Sequence, residues 1–157
     1  MKYFTLDQWI ADQDSETQAN PGESACLRYS AYLDSVQSRL PVEFLPLTSE
    51  VVIHDARLLS AVGRIEEGVF ELRLDPGPFT NREWVELRLV YIGVSEVRFS
   101  SDPDKGLAGP HGFGDLGYDE IEALDGGMFE HRPLFSSGIE LAVEFAAFRL
   151  EPRRDCV

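Results

Sequence analysis

The chain has 157 residues, 43% of them hydrophobic and 27% charged, and its 28 acidic against 14 basic residues give a formal charge of −14. This composition excludes wholesale disorder and is typical of one domain with its own apolar core. A field of this sign repels phosphate backbones and anionic membranes. It therefore argues against nucleic acid and membrane partners and would attract a basic protein, cations or cationic substrates, and a role in solubility alone is the open alternative.

The cysteines and the first residues indicate a cytoplasmic protein. Cys26 falls in a predicted helix and Cys156 lies next to the last residue. This placement favours free thiols of a reducing compartment over a disulfide. The opening M-K-Y-F-T-L-D-Q-W lacks the apolar segment of a signal peptide, and no run approaches the ~20 apolar residues of a membrane helix.

Residues 1–41 carry two helix patterns. Thr5 and Gln8 have the spacing of a capping box, which predicts a short helix directly after them. Asn20 and Pro21 are typical first residues of a second helix, and Pro41 ends it. Its apolar positions repeat at intervals of three and four, which predicts a helix lying on an apolar surface. They are Cys26, Tyr29, Leu33, Val36 and Leu40.

From residue 51 onward, alternating apolar and polar residues predict about seven strands separated by glycine, proline and serine turns. The strands are residues 57–66, 69–75, 83–92, 94–100, 118–124, 128–135 and 139–150. Consecutive hairpins without crossover helices predict antiparallel pairing. We therefore expect a single α+β domain over residues 1–157. Two N-terminal helices in residues 1–41 pack on an antiparallel β-sheet or sandwich in residues 51–150.

The last predicted hairpin implies its own register. If residues 136–138 form a three-residue loop, His131 faces Val143 and apolar side chains oppose one another, which places His131 on the core face. The alternation of inward-facing apolar residues with outward-facing ones then breaks after Phe145. One extra residue at positions 146–147, a β-bulge, would restore it.

Three histidines and one aspartate are the candidate site residues: His54, Asp55, His111 and His131. His54 and Asp55 precede the first strand, where they either carry a function or cap backbone groups. Neighbours in an extended chain point to opposite sides, so adjacency alone predicts no dyad. His131 is either a hydrogen-bonded core residue or a ligand, and His111 lies in the glycine-rich loop 102–117.

These residue types would allow a metal-dependent or small-ligand enzyme if they converged, because imidazole and carboxylate groups are metal ligands. Their spacing does not require such a site. The sequence therefore assigns no catalytic, cofactor-binding or metal-binding residue, and it names no cofactor.

Three short motifs carry a family resemblance: Met1 to Thr5 (M-K-Y-F-T), His54 to Ala56 (H-D-A) and Phe135 to Glu140 (F-S-S-G-I-E). With them the chain resembles a group of small uncharacterised bacterial proteins, some relatives of which are regarded as immunity proteins that neutralise a partner toxin. The resemblance implies a bacterial origin and a fold of helices with an antiparallel sheet, and it assigns no catalytic residue. The sequence differs from that group in its glycine-rich loop, residues 102–117.

Taken together, these patterns predict a non-enzymatic, immunity-like domain that binds another protein through an acidic surface. Opposite charge speeds the encounter of such a domain with a basic partner. Two alternatives stay open, an enzyme that uses the histidines and an accessory domain with no dedicated site.

Overall fold

The computed structural model describes residues 1–13, 21–77, 84–101 and 112–154. Three α-helices come first in these ranges: α1 (Leu6–Gln13), α2 (Pro21–Val36) and α3 (Leu45–Ser49). Eight strands follow: β1 (Arg57–Arg64), β2 (Val69–Asp75), β3 (Trp84–Ile92), β4 (Glu96–Ser100), β5 (Leu116–Ala123), β6 (Phe129–Phe135), β7 (Glu140–Phe145) and β8 (Ala147–Arg154). In this part of the chain, no helix is long and apolar enough to span a membrane.

The strands form two antiparallel sheets of four, with the orders β1-β2-β3-β8 and β4-β7-β6-β5. Buried side chains from both sheets and from the helices share one core. The expected α+β class with antiparallel sheets is confirmed. The strand count is eight rather than seven, and a third helix, α3, was not predicted. Its signal is Pro46, which stands in the first turn.

The eighth strand arises at a corner where two strands change sheets together. β3 leads into β4 at Gly93, and β7 leads into β8 at Ala146, whose N–H donates to the carbonyl of Ile92 at 3.0 Å. Gly93 has a φ of +66°, and a Cβ there would lie 2.9 Å from the Cβ of Ala146. The interruption after Phe145 lies where the sequence predicts it. The chain passes to the second sheet at that point, however, so the predicted bulge within one strand was wrong.

The predicted register of the β6–β7 hairpin is confirmed. His131 pairs with Val143 and Phe129 pairs with Phe145. The side chain of His131 is completely buried, as its place on the core face requires.

α1 begins as the sequence predicts, and α2 begins at Pro21, the expected first residue, while the predicted N-cap Asn20 lies outside the described residues. The N–H of Gln8 donates to Thr5 Oγ1 at 3.2 Å and the N–H of Thr5 donates to Gln8 Oε1 at 3.3 Å, which is a complete capping box. α2 ends earlier than expected, at Val36. Its buried stripe includes Ala25, whereas Cys26 is exposed, so the inclusion of Cys26 in that stripe was wrong.

α2 covers the free edge of β5. The N–H of Ile121 donates to the hydroxyl of Tyr29 at 2.6 Å, and the N–H of Ala123 donates to the hydroxyl of Tyr32 at 2.9 Å. These bonds satisfy strand groups that would otherwise be open to another chain. They also bring α2 close to residues 117–119 of β5, which line the candidate site.

Candidate functional site

A cleft of about 280 Å³ lies where α2, α3 and β5 meet. It shares Asp119 with an adjoining hollow of about 220 Å³ that lies between α2 and α3. We call the larger space the Asp119 cleft. Aromatic rings, one carboxylate and small hydroxyl groups line it, from Phe4, Tyr29, Thr48, Ser49, His54, Tyr118 and Asp119.

Phe4 reaches the cleft because the N-terminal segment is bound to β5 by a buried carboxylate. Glu120 is fully buried, and its Oε1 accepts the backbone N–H groups of Tyr3 and Phe4 at 2.6 Å each. Its Oε2 accepts the N–H of Lys2 at 2.8 Å. Three donors on one carboxylate hold the segment against the strand. The ring of Phe4 then stacks on that of Tyr118, with centroids 4.8 Å apart.

α1 is seated beside the cleft through a ring-on-glycine contact. Trp9 packs on Gly117, where a Cβ would lie 2.2 Å from the indole ring. The Trp9 ring also meets Tyr118 edge to face at 5.7 Å. This close approach requires glycine at position 117. The contact with Trp9 also holds the ring of Tyr118 in place at the edge of the cleft.

His54 and Asp55 form a tight turn at the side of the cleft, and the expectation that their side chains diverge was wrong. His54 Nδ1 and Asp55 Oδ1 are 2.9 Å apart. The reason is local, because Asp55 has a φ of +64° and the chain here is a turn rather than a strand. Two backbone hydrogen bonds of 2.8 Å hold the turn to β5: the Asp55 N–H donates to the Leu116 carbonyl, and the Leu116 N–H donates to the Ala56 carbonyl.

His131 supports the cleft from the core side through a chain of hydrogen bonds. Its Nδ1 lies 2.7 Å from the hydroxyl of Tyr91 and its Nε2 lies 3.0 Å from Asp119 Oδ2. The Asp119 carboxylate only accepts hydrogen bonds, so Nε2 carries the hydrogen that it donates to Oδ2. Burial raises the pKa of Tyr91 well above its usual value, so this hydroxyl keeps its hydrogen and is a donor available to Nδ1.

This order of groups positions a carboxylate and does not activate a nucleophile. In nucleophilic triads the hydroxyl faces the substrate and the carboxylate lies behind the imidazole. Here Tyr91 is fully buried, whereas 24% of the Asp119 side chain is exposed. Both nitrogens of His131 are already hydrogen-bonded, so the ring is held as a support for Asp119.

Among the described residues, neither a lysine nor an arginine forms an ion pair with Asp119, and its side-chain hydrogen-bond partner there is the His131 ring. Its Oδ1 likewise accepts no hydrogen bond from that part of the chain. The neighbouring hydroxyl of Tyr29 stays protonated, because burial and then the charge of Asp119 raise the pKa of Tyr29 far above its usual value. The cleft thus presents a carboxylate oxygen between neutral aromatic groups.

The carboxylates on the outer faces of the sheets are arranged differently. Arg88 binds Glu71 at 2.6 Å and Glu151 at 2.8 Å, and Arg73 binds Glu86 at 2.5 Å. Hydrogen bonds from these arginines lower the pKa of Glu71 and of Glu86. The charges of Arg73 and Arg88 are therefore neutralised by neighbouring carboxylates on the same sheet.

The structure brings some of the predicted site residues together and separates others. His54 lines the Asp119 cleft, Asp55 binds His54 from the side, and His131 acts through Asp119. His111 lies outside the described residues. Within the described ranges, no group of three or more His, Cys, Asp or Glu residues has the geometry of a metal site.

The sequence reasoning missed Asp119, although a signal for it exists. If the turn at residues 125–127 is a three-residue loop, Ile121 pairs with His131, as the structure shows. Asp119 is two residues from Ile121 and therefore shares the core face of β5 with the histidine partner. Applying the same register argument to both hairpins would have found the pair.

Comparison with protein-family models, with curated proteins and with solved structures finds no match to this chain. The resemblance to small bacterial proteins therefore stays a prediction. The fold and the site place the chain in a structural class: an acidic α+β protein with two four-stranded antiparallel sheets. Its aromatic cleft contains the carboxylate of Asp119, which has no lysine or arginine partner among the described residues.

Proposed function

We propose that this protein is a non-enzymatic domain that binds a basic protein partner, in the manner of an immunity protein. The observation that supports it is the distribution of charge between the helical and strand parts of the chain. Residues 1–56, which hold α1 to α3, contain nine acidic and only three basic residues. Residues 57–157 contain nineteen acidic and eleven basic ones. The helical part, which carries the cleft, therefore has the larger relative excess of negative charge.

The ion pairs sharpen this difference. Arg73, Arg88 and Arg132 on the sheets each bind carboxylates within 3 Å. On the helical part, Arg28 binds the hydroxyl of Ser24 and Arg39 binds the backbone carbonyl of Leu124, so within the described residues neither arginine forms an ion pair with a carboxylate. A negative field over this part would steer a positively charged protein toward it.

Exposed apolar side chains on the same part add the second component of a protein interface. Leu27 is 66% exposed, Val42 69% and Val52 46%, and Val52 lines the Asp119 cleft. Protein interfaces combine apolar contact with polar rims, and exposed apolar side chains supply that contact. The negative charge therefore speeds association with a basic partner, and the apolar side chains provide contact area in the complex.

A salt series with the full-length chain tests this proposal. The tagged protein is incubated with a lysate of its host cell, and captured proteins are identified after washes of rising ionic strength. We expect one basic protein to be captured at low salt and to be lost as salt rises, because exposed charges are screened.

Matched charge variants make the test specific. E43Q/E50Q removes two charges beside α3, and E66Q/E67Q removes two charges in the turn between β1 and β2. The first pair should weaken capture of the basic protein several-fold and the second should not. Salt-independent capture, or equal loss in both variants, would overturn the proposal.

A further inference from the structure

We infer that the Asp119 cleft binds the ammonium group of a lysine side chain presented by the partner. The inference rests on the proposed function, since it names the group through which a basic partner is recognised. It is carried by the geometry of the cleft, and it can be tested with a small ammonium compound in the absence of any partner.

The charge of Asp119 is the first reason. The buried carboxylates Glu71 and Glu86 of the sheets have arginine partners, whereas in the described residues neither a lysine nor an arginine forms an ion pair with Asp119. A carboxylate inside a cleft with aromatic walls has lost part of its hydration and attracts a cation more strongly than one in open water. An incoming cation would restore the missing partner.

The aromatic lining is the second reason. Phe4, Tyr29 and Tyr118 line the same space, and ring centroids of Phe4 and Tyr29 are 5.4 Å apart. The faces of aromatic rings attract cations, and cages of such rings bind ammonium groups in proteins. The hydroxyl-bearing residues Thr48 and Ser49 also line the cleft and could accept hydrogen bonds from an ammonium.

The hydrogen bond from His131 favours an ammonium over a guanidinium group. Arginine recognises a carboxylate best through two parallel bonds to both oxygens. Asp119 Oδ2 already accepts from His131 Nε2 at 3.0 Å, whereas Oδ1 accepts no hydrogen bond from the described residues and is the more open acceptor. A single open oxygen suits the compact charge of an ammonium group, which needs no paired geometry.

The other charged groups around the cleft do not supply this cation. His54 is paired with its own carboxylate, Asp55, at 2.9 Å. Lys2, in the N-terminal segment that holds Phe4, binds Glu122 at 3.0 Å and lies over the ring of Tyr32. The glutamate beside Asp119, Glu120, is used by the backbone of residues 2–4. Within the described part of the chain, these groups therefore leave the negative charge of Asp119 in the cleft unneutralised.

The test is an NMR titration of the full-length chain with n-butylammonium, with n-butanol and methylguanidinium as comparison probes at constant ionic strength. We expect n-butylammonium to shift the amide signals of Gly117, Tyr118 and Asp119 saturably, with a dissociation constant on the order of millimolar. n-Butanol should produce no saturable shift, and methylguanidinium should bind several-fold more weakly.

Two variants localise the effect. D119N keeps an oxygen that accepts the His131 N–H, so the fold is retained while the charge is removed, and we expect n-butylammonium to bind at least about tenfold more weakly. The control variant E66Q removes an exposed charge in the turn between β1 and β2 and should bind n-butylammonium as the wild type does. If D119N does not fold, Y118L offers a second variant that removes one ring, and it should also weaken binding.

The possible results separate this inference from the proposed function. Equal binding of n-butanol, tighter binding of methylguanidinium, or undiminished binding to D119N would overturn the ammonium site. Ammonium binding by the wild type without capture of any basic protein would leave the site standing and overturn the proposed function. Partner capture that D119N leaves unchanged would overturn the role of this cleft in recognition.

Discussion

Asp119 and His131 lie on neighbouring strands and are joined by a 3.0 Å contact between Oδ2 and Nε2, although one side chain reaches a surface cleft and the other is completely buried. Tyr91 extends the chain from His131 into the core at 2.7 Å. The core and the candidate site are thus connected by hydrogen bonds. A change at the buried end should therefore alter stability first and the cleft second.

Tyr91 to Phe is the direct test of the buried end. The variant keeps the ring in place but leaves His131 Nδ1 without its donor inside the core. An unsatisfied buried polar group costs about 1–3 kcal/mol, so we expect a loss of unfolding free energy of that size in urea denaturation. Tyr3 to Phe, in the N-terminal segment, is the control and should change stability little. Equal stability of the two variants would contradict the hydrogen-bond chain.

Gly117 to Ala tests the seating of α1. A Cβ at position 117 would lie 2.2 Å from the Trp9 ring, and the ring cannot yield as a flexible chain end could. We expect α1 to be displaced, with a red shift and stronger quenching of tryptophan fluorescence by acrylamide. Gly63 to Ala is the matched control, because its Cβ would make only an ordinary 3.7 Å contact with Phe70. Unchanged fluorescence in the Gly117 variant would show that Trp9 does not pack there.

Sequence patterns predicted much of this fold, because helix caps and hairpin registers depend on interactions between residues close together in the sequence. The capping box at Thr5 and Gln8 and the pairing of His131 with Val143 follow from spacing alone, and both are confirmed. The division into helices before residue 50 and strands after residue 56 also follows the hydrophobic period. These features do not depend on how the two sheets meet.

Features that depend on tertiary geometry were harder to predict. The corner at Gly93 and Ala146 needs two strands to bend at one place, and a single-strand period cannot tell such a corner from a bulge. The contact of His54 with Asp55 depends on a positive φ imposed by the turn. The cleft itself combines Phe4, Tyr29 and Tyr118 from three separate elements, so no spacing in the sequence indicates it.

The hydroxyls of Tyr29 and Tyr32 should protect individual amides of β5. In Tyr29 to Phe the N–H of Ile121 loses its acceptor, and in Tyr32 to Phe the N–H of Ala123 does. We expect each variant to speed hydrogen exchange at its own amide at least severalfold while the other amide changes less. Exchange followed by NMR gives both values in one experiment. A uniform increase over the whole strand would point to global destabilisation and against these two specific caps.

Stability should fall in acid because two carboxylates of the sheets are bound to arginine. The hydrogen bond from Arg88 lowers the pKa of Glu71, and that from Arg73 lowers the pKa of Glu86, in each case from an ordinary value of 4.5. A group whose pKa is lower in the folded state stabilises the protein above its unfolded pKa. It loses that contribution as the pH falls through the folded value.

Urea denaturation at a series of pH values from neutral to about pH 3 measures this loss. We expect the free energy of unfolding of the wild type to decline below about pH 4.5. E71Q/E86Q should be less stable than the wild type at neutral pH and should show a shallower decline in acid, because two of the titrating groups are gone. E66Q, whose carboxylate is exposed in the turn between β1 and β2, serves as the control and should keep the wild-type slope. An unchanged slope in E71Q/E86Q would show that acid destabilisation comes from other carboxylates.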